Sequence, residues 1–203
     1  MPILRDMVRI GERRPPALPS TSDQQVRRAA ILTAATRLGR IRALDRIHAR
    51  EIAAEAGVAL RTLYRYYPSK YHVYAAVLQS QVAELGASAR SGTGDDPVAA
   101  VAALMAGACR NMLRHEHLAH AMITSTQTVR AQTGAIGDHT VRDLIVRTAG
   151  VTDPTADQLR IARLIEQVTF GVLTWTVGGE VDAVDAVDDV RRACESLIGD
   201  AFG

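Results

Sequence analysis

The sequence predicts an all-α protein, and three observations carry that prediction. Apolar residues recur three or four positions apart through most of the chain, and glycine and proline fall between those runs. No run alternates apolar with polar residues over a strand's length, and no hairpin dipeptide interrupts the pattern. At 203 residues, 47% apolar and 23% charged, the chain has enough apolar surface for a real core, which excludes disorder throughout.

Taken in order, residues 1–22 are proline-rich with mixed charge and no apolar period, so they read as a flexible basic arm carrying Arg5, Arg9, Arg13 and Arg14. From Asp23 a helix is expected, with Val26, Ala30, Ile31, Ala34, Ala35 and Leu38 on its apolar face. A second covers about Ala49–Ala56 through Ile52, Ala53 and Ala56, and Gly57 stops it. Leu60–Tyr67 has room for two turns before Pro68-Ser69 breaks it, and Ser69 caps a longer helix from Lys70 to about Ala89. The breaker-rich stretch Ser91 to Pro97 marks a linker and the expected domain boundary. Beyond it, helices are expected near 97–114, 117–131, 138–149, 154–178 and 183–199. The domains are therefore an arm over 1–22, a first domain over 23–90 and a second over 91–203.

Charge divides at the same place. Residues 1–90 hold 15 basic and 7 acidic residues, whereas 91–203 hold 9 basic and 15 acidic, so a total of +2 conceals +8 and −6. A basic segment of this kind suits a polyanion, and the acidic remainder does not. Val98–Cys109 and Gln167–Gly179, two long uncharged stretches, fall well short of the roughly 18 residues needed to cross a bilayer. The N-terminus lacks the apolar core of a signal peptide, so neither membrane insertion nor export is expected. Cys109 and Cys194 have no disulfide or zinc spacing and read as buried apolar residues in a reducing cytoplasm.

Ala49 to Tyr67 forms a helix, a glycine turn and a second short helix, a helix-turn-helix signature. Ala53 is small enough for two helices to cross closely, Gly57 supplies the left-handed turn, and Val58 plugs the angle. The second helix can then enter a major groove with Leu60, Arg61, Thr62, Tyr64, Arg65 and Tyr66 near its exposed side, while Arg50 lies beside it. All five tyrosines lie between positions 64 and 74, and phenol hydroxyls suit phosphate contact. Tyr64 and Tyr66 are expected outward; for Tyr67 and Tyr74, core packing is as good a reading.

The chain resembles the TetR family of transcriptional regulators. The resemblance rests on Ile31-Leu32-Thr33-Ala34-Ala35, on Arg50-Glu51-Ile52-Ala53-Ala54-Glu55-Ala56-Gly57-Val58 and on Thr62-Leu63-Tyr64-Arg65-Tyr66-Tyr67-Pro68-Ser69-Lys70. It implies a three-helix DNA-binding head, a helical ligand-binding and dimerisation domain, and a phosphate contact for Lys70, the only lysine beside 23 arginines. Residues 156–175 and Leu63–Lys70 look like KstR-type repressors of steroid catabolism.

The chain departs from the family at several positions. Ala43, Ile47 and His48 replace a glycine and a capping threonine, which leaves Asp45 as the candidate cap of the second helix. Arg61 stands where a small residue is common and is expected to contact phosphate or guanine. Tyr67 and Tyr71 replace Phe and Glu.

In the second domain, the helix near 154–178 has one apolar stripe at Ile161, Leu164, Ile165, Val168, Val172 and Trp175, and another at Leu159, Ala162, Phe170, Leu173 and Val177. The last helix repeats Val184, Val187, Val190, Cys194, Leu197 and Ile198 near a bundle period. Both are expected to pair with their copies in a homodimer, so that two heads read inverted half-sites of double-stranded operator DNA. The resemblance puts a small-molecule effector, possible classes being steroid-like or acyl-CoA-like, in this domain, with Met105, Met112, Met122, Phe170 and Trp175 as candidate lining. No cofactor is implied, and no catalytic constellation stands out.

The alternative is a helical metal-dependent enzyme or metal-binding module built on His115, His117 and His120. His115-Glu116-His117-Leu118-Ala119-His120 approaches a zinc-protease motif but has alanine where the second histidine must stand, so solvated histidines are the better reading.

Overall fold

The computed structural model describes residues 21–88, 96–133 and 140–199, and these residues form helices joined by short turns, without strands. The elements are α1 (Ser22–Ile41), a 3-10 turn (Leu44–Arg46), α2 (Ala49–Glu55), α3 (Leu60–Tyr66), α4 (Lys70–Ser88), α5 (Pro97–Leu113), α6 (Glu116–Thr133), α7 (Thr140–Thr148), α8 (Ala156–Val177) and α9 (Ala183–Ile198). Most of the arm and most of the linker lie outside the described residues.

Local chemistry explains the helix starts. Thr21 accepts the Gln24 amide at 3.4 Å, and Asp96 accepts that of Ala99 at 2.9 Å with Pro97 opening α5. Thr155 and Gln158 exchange hydrogen bonds in a capping box, and Asp182 takes the amides of Val184 and Asp185 at 2.7 and 2.9 Å. Those two bonds hold the Asp182 carboxyl below its ordinary value. The expected cap at Asp45 does not form. Asp45 sits in the 3-10 turn against Arg46, and α2 begins instead at His48, whose amide donates to Glu51 at 2.8 Å.

Two buried clusters organise the molecule. In the first, Ile31, Ile52, Leu63 and Tyr74 of α1 to α4 pack with Leu118, Ala121 and Met122 of α6. Met122 thus packs into the core of the head from α6 and does not line the cavity described below, because the first half of α6 runs against α1 and α4. In the second cluster, α5 packs most extensively on α9, with α7 and α8 completing it around Cys109, Ile145, Ile165 and Cys194. Both cysteines are buried, and burial pushes each thiol up to about 11.

The α9 seam differs from expectation. Val187, Val190, Cys194 and Ile198 are buried within the chain, so this stripe is not available to a second copy. What α9 leaves outward includes Val184 and the charged residues Asp185, Asp188, Asp189, Arg192 and Glu195.

Candidate functional site

Helices α2 and α3 meet as the glycine turn dictates. Gly57 has φ of 66°, the Val58 amide donates to the Ala53 carbonyl at 2.9 Å, and Ala53 is buried at the crossing. Leu63 anchors α3 in the core, which turns Leu60, Arg61, Tyr64 and Arg65 outward, with Thr62 half-buried and Arg50 exposed on α2. Leu60, Arg61, Tyr64 and Arg65, spaced one, four and five positions apart, share the outer face of α3. Tyr66 departs from expectation: it is buried, since residues two apart on a helix point about 200° apart and Tyr64 already faces out. Its hydroxyl accepts Arg65 Nη2 at 3.0 Å while the Arg65 guanidinium lies 4.9 Å from its ring centre, so Tyr66 braces Arg65. Tyr67 is buried too and accepts Arg28 Nε at 3.1 Å, and the buried Tyr74 donates to the Ala35 carbonyl at 3.0 Å.

Lys70 is half-buried. Its Nζ donates to the carbonyls of Leu44 and Ile47 at 2.8 and 2.9 Å, which ties the first turn of α4 to the segment entering α2. Burial lowers its pKa despite the nearby carboxylates of Asp45 and Glu51. Glu51 is held below the ordinary carboxylate range by Arg42, whose Nη1 lies 2.9 Å away, and by the His48 amide. Ser69 Oγ lies 2.9 Å from His72 Nδ1.

A cavity of about 210 Å³ opens between α4, α5, α6, α7 and α8. Its wall is mainly apolar, with Leu78, Val82, Met105, Met112, Ile123 and Phe170 among the lining side chains. Met105, Met112 and Phe170, candidate lining residues from the sequence, are all in this wall. Trp175 is not: it is 56% exposed on the outer side of α8 and does not line the cavity. His115, His117 and His120 are exposed near the start of α6, and among the described residues no three His, Cys, Asp or Glu side chains are grouped to hold a metal ion.

Comparison with known proteins bears on both halves. Residues 31–77 match the family described as "Bacterial regulatory proteins, tetR family", and residues 94–197 match "Tetracyclin repressor-like, C-terminal domain". The chain belongs to the TetR family of transcriptional regulators. The crystal structure of a TetR transcriptional regulator from Rhodococcus sp. RHA1 is 36% identical, with a TM-score of 0.77 over 85% of this chain and 97% of that one. The HTH-type transcriptional repressor KstR of Rhodococcus jostii (strain RHA1) is 29% identical over 184 residues, covering 89% of this chain and 87% of KstR. Thermus thermophilus FadR, a TetR-family repressor solved with lauroyl-CoA, shares the fold at 22% identity and a TM-score of 0.59, over 84% of this chain and 94% of FadR.

Within this TetR-family chain, two residues of the cavity escaped sequence reasoning. Glu166 accepts Arg142 Nε at 2.6 Å and lies 4.0 Å from Arg130, whose guanidinium rests 5.0 Å from the ring centre of Phe170. The available signal was Glu166 itself, a lone acid directly before the uncharged stretch 167–179. Among the described residues no helix is long and apolar enough to cross a membrane.

Proposed function

We propose that this TetR-family regulator represses by binding a palindromic operator as a homodimer in the cytoplasm, and that a small apolar effector in the cavity releases it. The head spans residues 23–90 and the effector and dimerisation domain residues 91–203. The observation that carries this reading is the double duty of α4. Its Leu78 and Val82 line the cavity, while Lys70 and Tyr74 hold the head through the carbonyls of Leu44, Ile47 and Ala35. A ligand that displaces α4 therefore moves the reading helix.

Direct DNA contact falls to Arg50, Leu60, Arg61, Thr62, Tyr64 and Arg65, with Tyr66 bracing and the remaining donor of Lys70 turned to phosphate. Dimer formation is supported by α8, where Leu164, Val168, Val172 and Trp175 follow one face and Val168 and Trp175 are exposed. On α9, Asp188 and Glu195 lie beside Arg191 and Arg192, a mixed-charge face that a two-fold axis can pair with itself. The FadR neighbour, solved with lauroyl-CoA, favours an apolar effector of acyl-CoA-like class, and the sequence resemblance to KstR-type repressors of steroid catabolism favours a steroid-like one.

Genomic footprinting followed by gel shift on the recovered sites tests this. The expected result is an inverted repeat whose affinity falls log-linearly with salt, with a slope of about −0.9 per phosphate neutralised. Arg61→Ala should weaken or respecify binding at one position in each half-site. Sites without dyad symmetry, or unaltered binding by Arg61→Ala, would overturn the corresponding part.

A further inference from the structure

The cavity has one polar end, and its charges are unequal. Along α4 its lining runs from Ala75 to Leu85 and along α6 from Ile123 to Thr133, about 15 Å of helix in each case. A volume of about 210 Å³ spread over that length is a slender channel. It is also smaller than the roughly 300–1,000 Å³ of sites that enclose a drug-sized ligand. The start of each segment adjoins the head, where Leu78 and Met112 also pack on the first core cluster. Arg130, Thr133 and Glu166 gather where α6 ends, away from the head.

Two arginines face one carboxylate there. Arg142 takes Glu166 in a 2.6 Å charge-assisted hydrogen bond, with both side chains largely buried. Arg130 lies 4.0 Å from the same carboxylate, beyond hydrogen-bond reach, and its guanidinium is otherwise laid on the face of Phe170. Arg130 lines the cavity with its side chain 44% exposed. Among the described residues, Arg130 is thus the cation at this end that the 2.6 Å Arg142–Glu166 bond leaves least engaged, and its planar, two-pronged donor matches a carboxylate in geometry as well as sign.

We propose that the effector is a slender apolar chain ending in one carboxylate, its chain along α4 and α6 and its carboxylate on Arg130. This inference rests on the reading above that an effector occupies the cavity; it puts a free carboxylate chain in place of the steroid-like and acyl-CoA-like classes and names the residue that selects it. Phe170 holds the guanidinium in place before the ligand arrives, which reduces the ordering cost of binding. Arg130 is a selectivity determinant for the head group, and the aliphatic wall supplies the remaining affinity.

Isothermal titration of the full chain with decanoate, decanol, decylamine, decanoyl-CoA and lithocholate, each below its micelle concentration, tests the assignment. Decanoate should bind about tenfold or more tightly than decanol, as a charge-assisted bond requires. Arg130→Gln should erase that difference while decanol binding persists, and Arg130→Lys should keep part of it. Equal binding of decanoate and decanol, or a preference that survives Arg130→Gln, overturns the role of Arg130. Tighter decylamine binding assigns the end to Glu166 instead. Decanoyl-CoA binding without decanoate overturns the free carboxylate, and lithocholate binding above decanoate overturns the slender chain. If none of the five binds, the inference fails as a whole. A gel shift on the same preparation separates the two readings. Operator binding relieved by some other apolar compound leaves the proposed function standing and removes only this inference, whereas absence of operator binding strikes the proposed function itself.

Discussion

Lys70 shows how much a single side chain can be given to the protein's own backbone. An ammonium has three donors, and two of them are spent on the Leu44 and Ile47 carbonyls. Lys70→Met should destabilise the chain by about 1.5–3 kcal/mol, the range for a hydrogen bond to a charged group, as read from urea unfolding. The same variant reports on DNA. If the third donor reaches phosphate, the log–log salt slope of operator affinity falls by about 0.9, whereas a purely internal clamp leaves the slope unchanged. Glu51 gives a pH signature. Its folded pKa is lowered, so the stability it contributes is complete above the unfolded value near 4.5 and is lost as pH falls through the folded value. The stability difference between the natural chain and Glu51→Gln should therefore shrink on acidification below about pH 4.5, measured by unfolding from pH 7 to 3. Tyr66 marks a limit of reading at this scale. Its type and position were plain in the sequence, but an offset of two residues puts it opposite Tyr64, and the two could not share one face.

At the scale of elements, the crossing of α1 with α4 and α6 depends on Gly39. A Cβ there would meet Leu118 Cδ1 and Tyr74 Cε1 at 2.9 Å each, and the Tyr74 ring is held by its bond to the Ala35 carbonyl. The ring has little freedom to retreat. Gly39→Ala should lower stability by about 1–3 kcal/mol through overpacking, although alanine favours helix, and thermal unfolding of the purified variant checks the sign. The helices themselves were legible to within about two residues, because an apolar period and a cap are both written in neighbouring positions. The 3-10 turn at Leu44–Arg46 was not, and it is what carries the two carbonyls to Lys70. Three residues are too few to show a period. The apolar repeat of α9 marks a seam in the sequence without naming its partner, and in the structure α5 of the same chain covers it.

For the whole molecule, the exposed stripe of α8 is the proposed dimer face. Trp175→Glu should leave the fold intact, since the side chain is 56% exposed, and should convert the dimer to monomer in sedimentation at micromolar concentration. Operator affinity should fall with it, because two linked heads bind far more tightly than one. A variant that remains dimeric would place the interface elsewhere.

Charge, motif and period settle much of this protein from the sequence alone: an all-α chain, a basic helix-turn-helix half, an acidic second half, and the outward Arg61, Tyr64 and Arg65. These are local or additive properties, carried by spacings of a few residues. The tertiary structure alone decides that Met122 packs into the core of the head, that Trp175 faces out, that Lys70 clasps the Leu44 and Ile47 carbonyls, and that Arg130 meets Glu166 across helices. The physical reason is that an apolar or charged side chain states a need for a partner without naming it. The partner is chosen by which helices, distant in sequence, the fold brings alongside.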